Sequence, residues 1–103
     1  MTMLLALLAA AAPPATDEPI PEIVVIGERL QGVQVSVGQD PSGSWYCSLD
    51  QSSGVPSLDN GLCKAVTKCV RKGATTDDTL EKCVTSSKKR LLARFEREYR
   101  KRM

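Results

Sequence analysis

The sequence predicts a small α+β domain: a short strand and a β-hairpin, followed by a disulfide-pinned helical hairpin whose second helix is long and basic. Three observations carry that reading. Val33, Val35 and Val37 alternate with Gln34 and Ser36, the pattern of a half-buried strand. From about Leu58 the apolar residues recur at helical spacing instead. Four cysteines, Cys47, Cys63, Cys69 and Cys83, form an even set in a chain of 103 residues that holds only four aromatic side chains. A core of Val, Leu and Ile is thin at this size, and two disulfides would each add about 2–4 kcal/mol.

Taken in order, Met1 to Ala15 reads as an export signal. Leu4, Leu5, Leu7 and Leu8 with the surrounding alanines make an apolar run that Pro13 and Pro14 end. At about 1.5 Å per residue the run is too short to span a bilayer as a helix. Its start lacks Lys and Arg, a departure from the usual positive n-region. Cleavage fits best after Ala11 or Ala15. Export predicts a periplasmic or secreted protein whose cysteines meet an oxidising environment. Residues 16–21, polar and proline-bearing, read as a disordered leader, and residues 22–103 as one small domain.

Glu22-Ile23-Val24-Val25-Ile26-Gly27 reads as a short strand of branched residues closed by glycine. Residues 38–44 are dense in turn formers, and Trp45-Tyr46-Cys47-Ser48-Leu49 returns as the antiparallel partner of the valine strand. Asp50 to Ser57 is a polar loop. Leu62, Cys63, Val66, Cys69 and Val70 then stripe a helix from about Leu58 to Lys72, with Ser57 or Asp59 as its cap and Gly73 as its stop. Thr75 or Thr76, followed by Asp77 and Asp78, opens a second helix. Leu80, Cys83, Val84, Ser87, Leu91 and Phe95 share one face of it.

Cys63 and Cys69, six residues apart on one helix, lie about 9 Å apart along its axis and should not pair with each other. An antiparallel hairpin of helices favours Cys69–Cys83 with Cys47–Cys63. Cys47–Cys69 with Cys63–Cys83 is the alternative. With no His in the chain and no C-x2-C pair, the cysteines offer neither a zinc site nor a redox motif. No side chain pairs a nucleophile with a base, so no catalytic residue, cofactor or metal is expected. Asp77-Asp78 and Glu96 with Glu98 are a helix start and a solvated face.

Two resemblances follow from these motifs. Glu22 to Gly27 resembles the TonB-box-like segment at the mature N-terminus of TonB-dependent outer-membrane receptors, which implies a strand that pairs with TonB. A chain of this length cannot form a receptor barrel, each strand of which needs about 9–11 residues. The wider set, Ile23 to Val25, Cys47, Ser53-Gly54, Leu58-Asp59 and the C-x5-C of Cys63 and Cys69, resembles short exported proteins of sphingomonad-type alphaproteobacteria, a resemblance that implies export and assigns no particular function.

Charge is polarised along the chain. Residues 1–60 carry seven acids against Arg29, while residues 61–103 carry thirteen Lys and Arg against five acids. Eight of those cations, Lys88, Lys89, Arg90, Arg94, Arg97, Arg100, Lys101 and Arg102, fall at the end of the second helix beside Leu91, Leu92, Phe95 and Tyr99. They are the candidate binding residues of a basic amphipathic helix whose apolar side is expected either to pack against the sheet or, with Leu91, Leu92 and Phe95, to insert partly into an anionic membrane surface. The function expected is that of a non-enzymatic envelope protein that binds an anionic membrane surface or an acidic envelope protein, and not nucleic acid. The alternatives are a small secreted enzyme inhibitor, presenting Asp40 to Ser44 or Asp50 to Ser57, and a TonB-interacting module.

Overall fold

A computed structural model describes residues 19–103. The expected export signal and residues 16–18 of the leader lie outside the described residues. Five elements follow: α1 (Pro21–Gln31), β1 (Val35–Gln39), β2 (Trp45–Leu49), α2 (Pro56–Arg71) and α3 (Asp77–Arg102). The α+β class, the hairpin and the helical pair stand as expected from the sequence. The first element does not.

Glu22 to Gly27 is helical, not a strand. Pro21 sits at the first helical position, where its fixed φ and missing donor suit the helix. Glu22 in the first turn and Arg29 in the last match the helix dipole. Ile23, Gly27 and Leu30 are buried on one side, whereas Val24 and Val25 face solvent. The continuous Ile-Val-Val-Ile run hid this periodicity, because an unbroken apolar stretch carries no period. Ile20 is already buried, so ordered chain begins ahead of Glu22.

The hairpin pairs Val35 with Leu49, Val37 with Cys47 and Gln39 with Trp45. Its turn is fixed by the Asp40 carboxylate, which accepts from Ser42 N at 2.9 Å, Ser42 Oγ at 2.6 Å and Ser44 N at 2.9 Å. These bonds hold Asp40 below its ordinary carboxylate pKa.

Pro56 opens α2 after the N-cap Val55, so neither Ser57 nor Asp59 caps it. Asp59 instead anchors the preceding loop, accepting from Ser53 N at 2.9 Å, Ser53 Oγ at 2.7 Å and Ser52 Oγ. Burial works to raise the Asp59 pKa, and these hydrogen bonds outweigh it, leaving the carboxyl below its ordinary value. The helix stops at Gly73, whose φ of 108° is open to glycine at little cost. There Gly73 N donates to Val70 O and Ala74 N to Cys69 O, the paired bonds of a Schellman stop. Thr76 and Thr79 then form a reciprocal capping box at the start of α3.

α3, 26 residues and about 39 Å long, is the spine of the fold. One side of it lies antiparallel to α2, with Cys69 bonded to Cys83 and Gly61 facing Leu91. A Cβ on Gly61 would stand 2.9 Å from Leu91 Cδ2, so the missing side chain sets how near the helices come. Another side, from Lys88 onward, lies antiparallel to α1, with Gln31 at Lys88, Gly27 at Leu92 and Glu22 at Tyr99. The apolar side of the basic tail is therefore covered by α2 and α1, and not by the sheet. The core gathers Leu30, Val33, Leu58, Leu62, Val66 and Leu91. Cys47–Cys63 and Cys69–Cys83 are the disulfides, with Cα atoms 5.8 and 6.5 Å apart. They fit an oxidising compartment.

Candidate functional site

α2 faces its core with Leu58, Leu62 and Val66. A second row, Lys64, Lys68 and Lys72, repeats at i, i+4 and i+8 and so follows one line along the helix, about 12 Å from end to end. Across from it α3 presents Arg90, Arg94 and Arg97. Between them lies an open groove of about 750 Å³ whose floor is Gly61, Ala65, Cys69, Leu91 and Ala93. The floor residues are mostly small, so the six cations stand as walls. Among the described residues no acid lines this groove.

On the other flank of the lysine row lies a second groove, toward the hairpin. Trp45, Tyr46, Cys47, Cys63, Thr67 and Arg71 complete its lining, again with no acid. The guanidinium carbon of Arg71 lies 5.9 Å from the centroid of the Trp45 ring, a cation–π distance. The lysine row is thus a shared ridge, and hairpin, α2 and α3 together form one cationic face.

Among the described residues the salt bridges are Lys82–Asp78 and Arg100–Glu96, and neither involves this face. Arg90 Nη2 donates weakly to Ser87 Oγ at 3.4 Å. Like charges at i, i+4 cost a helix roughly 0.2–0.5 kcal/mol per pair. Lys64–Lys68, Lys68–Lys72 and Arg90–Arg94 each carry that cost with no compensating acid on the face. Ammonium groups supply point charges and guanidinium groups supply paired donors, which together suit phosphate or carboxylate oxygens.

The eight tail cations predicted as one patch are distributed by the fold. Arg90, Arg94 and Arg97 reach the groove. Lys89 lies on the opposite flank, against α1. Arg100 is paired with Glu96 at 3.0 Å, and Lys101 and Arg102 are exposed at the end of α3. Lys88 is turned inward: its Nζ donates to Gln31 O at 3.0 Å and Val33 O at 2.6 Å, closing the C-terminal end of α1. Burial lowers its pKa, partly offset by Asp50. Lys64, Lys68, Arg71 and Lys72 were missed in the sequence, although the four-residue spacing of the three lysines was there to be read.

All four cysteines are bonded, and no group of three or more His, Cys, Asp or Glu among the described residues is placed to hold a metal. No described helix is long and apolar enough to cross a membrane. Comparison with family models, with curated proteins and with solved structures finds no match.

Proposed function

We propose that this is an exported, non-enzymatic protein that works in the periplasm or outside the cell by holding an anionic membrane surface on its α2–α3 face. The observation that carries the proposal is the groove walled by Lys64, Lys68, Lys72, Arg90, Arg94 and Arg97 with no acid among its lining residues. The C-terminal end of α2 favours Lys68 and Lys72, but the crowding of the two cationic rows across the groove is relieved only by an anion. The face is broad and open, a ridge between two shallow grooves, which suits an extended surface better than an enclosed small ligand. The two disulfides agree with an oxidising compartment. An acidic envelope protein is the rival partner.

Sedimentation with vesicles tests the reading, comparing phosphatidylglycerol–phosphatidylcholine mixtures with phosphatidylcholine alone. Each cation near an anionic surface is worth about 1 kcal/mol. Lys68→Gln with Arg94→Gln should therefore weaken binding roughly 30-fold. Binding should also fall as salt rises, since screening sets in over about 8 Å at physiological strength. Equal binding to neutral and anionic vesicles, or an unaffected double variant, would overturn the proposal.

A second reading, a small secreted inhibitor, has support in the exposed Asp40–Ser44 turn and the four hydrogen bonds from Ser42 N, Ser42 Oγ, Ser44 N and Asp40 N that fix it. It predicts that replacing this turn by a glycine-rich loop abolishes partner binding while vesicle binding persists.

A further inference from the structure

Trp45 is the chain's one tryptophan, and it stands at the rim of the cationic face. It is 36% exposed at the end of β2, next to the hairpin turn. Tyr46 beside it is 55% exposed. The Tyr46 ring lies against the backbone of its cross-strand partner Gly38, where a Cβ would come within 2.6 Å of the phenol oxygen. The indole is thus left in contact with water in a groove whose other side is Lys64, Lys68, Arg71 and Lys72, while the Tyr46 ring, one residue on in the strand, takes the opposite face of the hairpin.

We propose that Trp45 is an interfacial anchor: the protein lies hairpin side and α2–α3 side down on an anionic phospholipid bilayer, with the indole at headgroup depth. This rests on the membrane reading above and adds the orientation of the bound protein and the residue that sets it. Tryptophan and tyrosine favour the membrane–water boundary, where an apolar ring and a polar edge are both accommodated. The lysine ridge is common to both grooves, so a flat anionic surface that meets Arg90, Arg94 and Arg97 also meets the groove holding the indole. Arg71, over the ring, adds a donor for lipid phosphate at the same level. The hydrophobic side of α3 takes no part, because Leu91 is core and Leu92 packs on Gly27.

Since no other tryptophan exists, fluorescence reports on this residue alone. The oxidised protein, as recovered from cells, is titrated with phosphatidylglycerol–phosphatidylcholine vesicles, with and without brominated acyl chains. The expected result is a blue shift of emission on binding and quenching by lipids brominated near the headgroup end of the chain. Trp45→Ser, with its thermal transition checked against the wild type, should bind the same vesicles about five- to tenfold more weakly, the worth of moving part of the exposed ring out of water. Vesicle binding with unshifted emission, no quenching and equal affinity of Trp45→Ser would overturn the anchor and leave the membrane function standing. Absence of any vesicle binding would overturn both.

Discussion

Lys88→Met separates the structural member of the basic tail from its neighbours. The Lys88 ammonium donates to the carbonyls of Gln31 and Val33, and so ties α3 to the junction where α1 ends and the hairpin begins. Hydrogen bonds from a charged donor are worth about 1.5–3 kcal/mol each. Against that gain stands the cost of removing the ammonium from water, the same cost that lowers its pKa. Methionine keeps the apolar stem and deletes the head, so the loss isolates those contacts. A net cost of about 2–3 kcal/mol follows, because the carbonyl of the buried Val33 loses this donor. In a domain of this size each kcal/mol moves Tm by roughly 4–8 °C, which places the drop at about 10–20 °C. Lys89→Met is the control, an exposed cation one residue away with no hydrogen bond to the core. Calorimetry of the two oxidised variants at neutral pH gives the comparison. A Lys88→Met transition within about 2 °C of the control would show that the contacts carry no stability, and the inward assignment of Lys88 would fall.

Two further outcomes follow from the same framework. Replacing Cys69 and Cys83 together by alanine opens a loop of sequence separation 14, which should cost about 3 kcal/mol in urea unfolding. An unchanged midpoint would mean that core packing of Leu58, Leu62 and Val66 against α3 is enough to hold the two helices together. Asp59→Asn should lose about 1–3 kcal/mol at pH 7, since the buried Ser53 hydroxyl and amide lose their charged acceptor. The Asp59 pKa is lower folded than unfolded, so its contribution is complete above its ordinary value of 3.8 and fades as pH falls through the folded value. The gap between wild type and variant in denaturant titrations should therefore narrow below about pH 3.8. A constant gap down to pH 2 would contradict this.

Those parts of the fold that depend on local pattern were legible in the sequence. Alternation of Val35 and Val37 marks the hairpin, and the level of Cys69 and Cys83 on either side of Gly73 points to their pairing. α1 was illegible because its unbroken Ile-Val-Val-Ile run carries no period, and the α3 surface that buries Ile23, Gly27 and Leu30 on one side lies far away in sequence. The site divides in the same way. Cations on α3 are conspicuous as a run, yet a run does not say which side of a helix each one takes, and Lys88 and Arg97 end on different sides. Lys64, Lys68 and Lys72 belong to the site only because the Cys69–Cys83 bond and the Gly61–Leu91 contact bring α3 alongside α2.

α2 carries one end of each disulfide, at Cys63 toward the hairpin and at Cys69 toward α3, and the lysine ridge runs along the same helix. Net charge is a property of the chain from its synthesis, whereas a charged face exists only once its parts are fastened together. Before the two bonds close, only packing holds hairpin, α2 and α3 together, and nothing covalent fixes these cations on one face. Afterwards the same charges act as one rigid body and their attractions add without a fresh ordering cost. On the membrane reading proposed above, closing the two bonds is what lets these cations meet a surface as a unit.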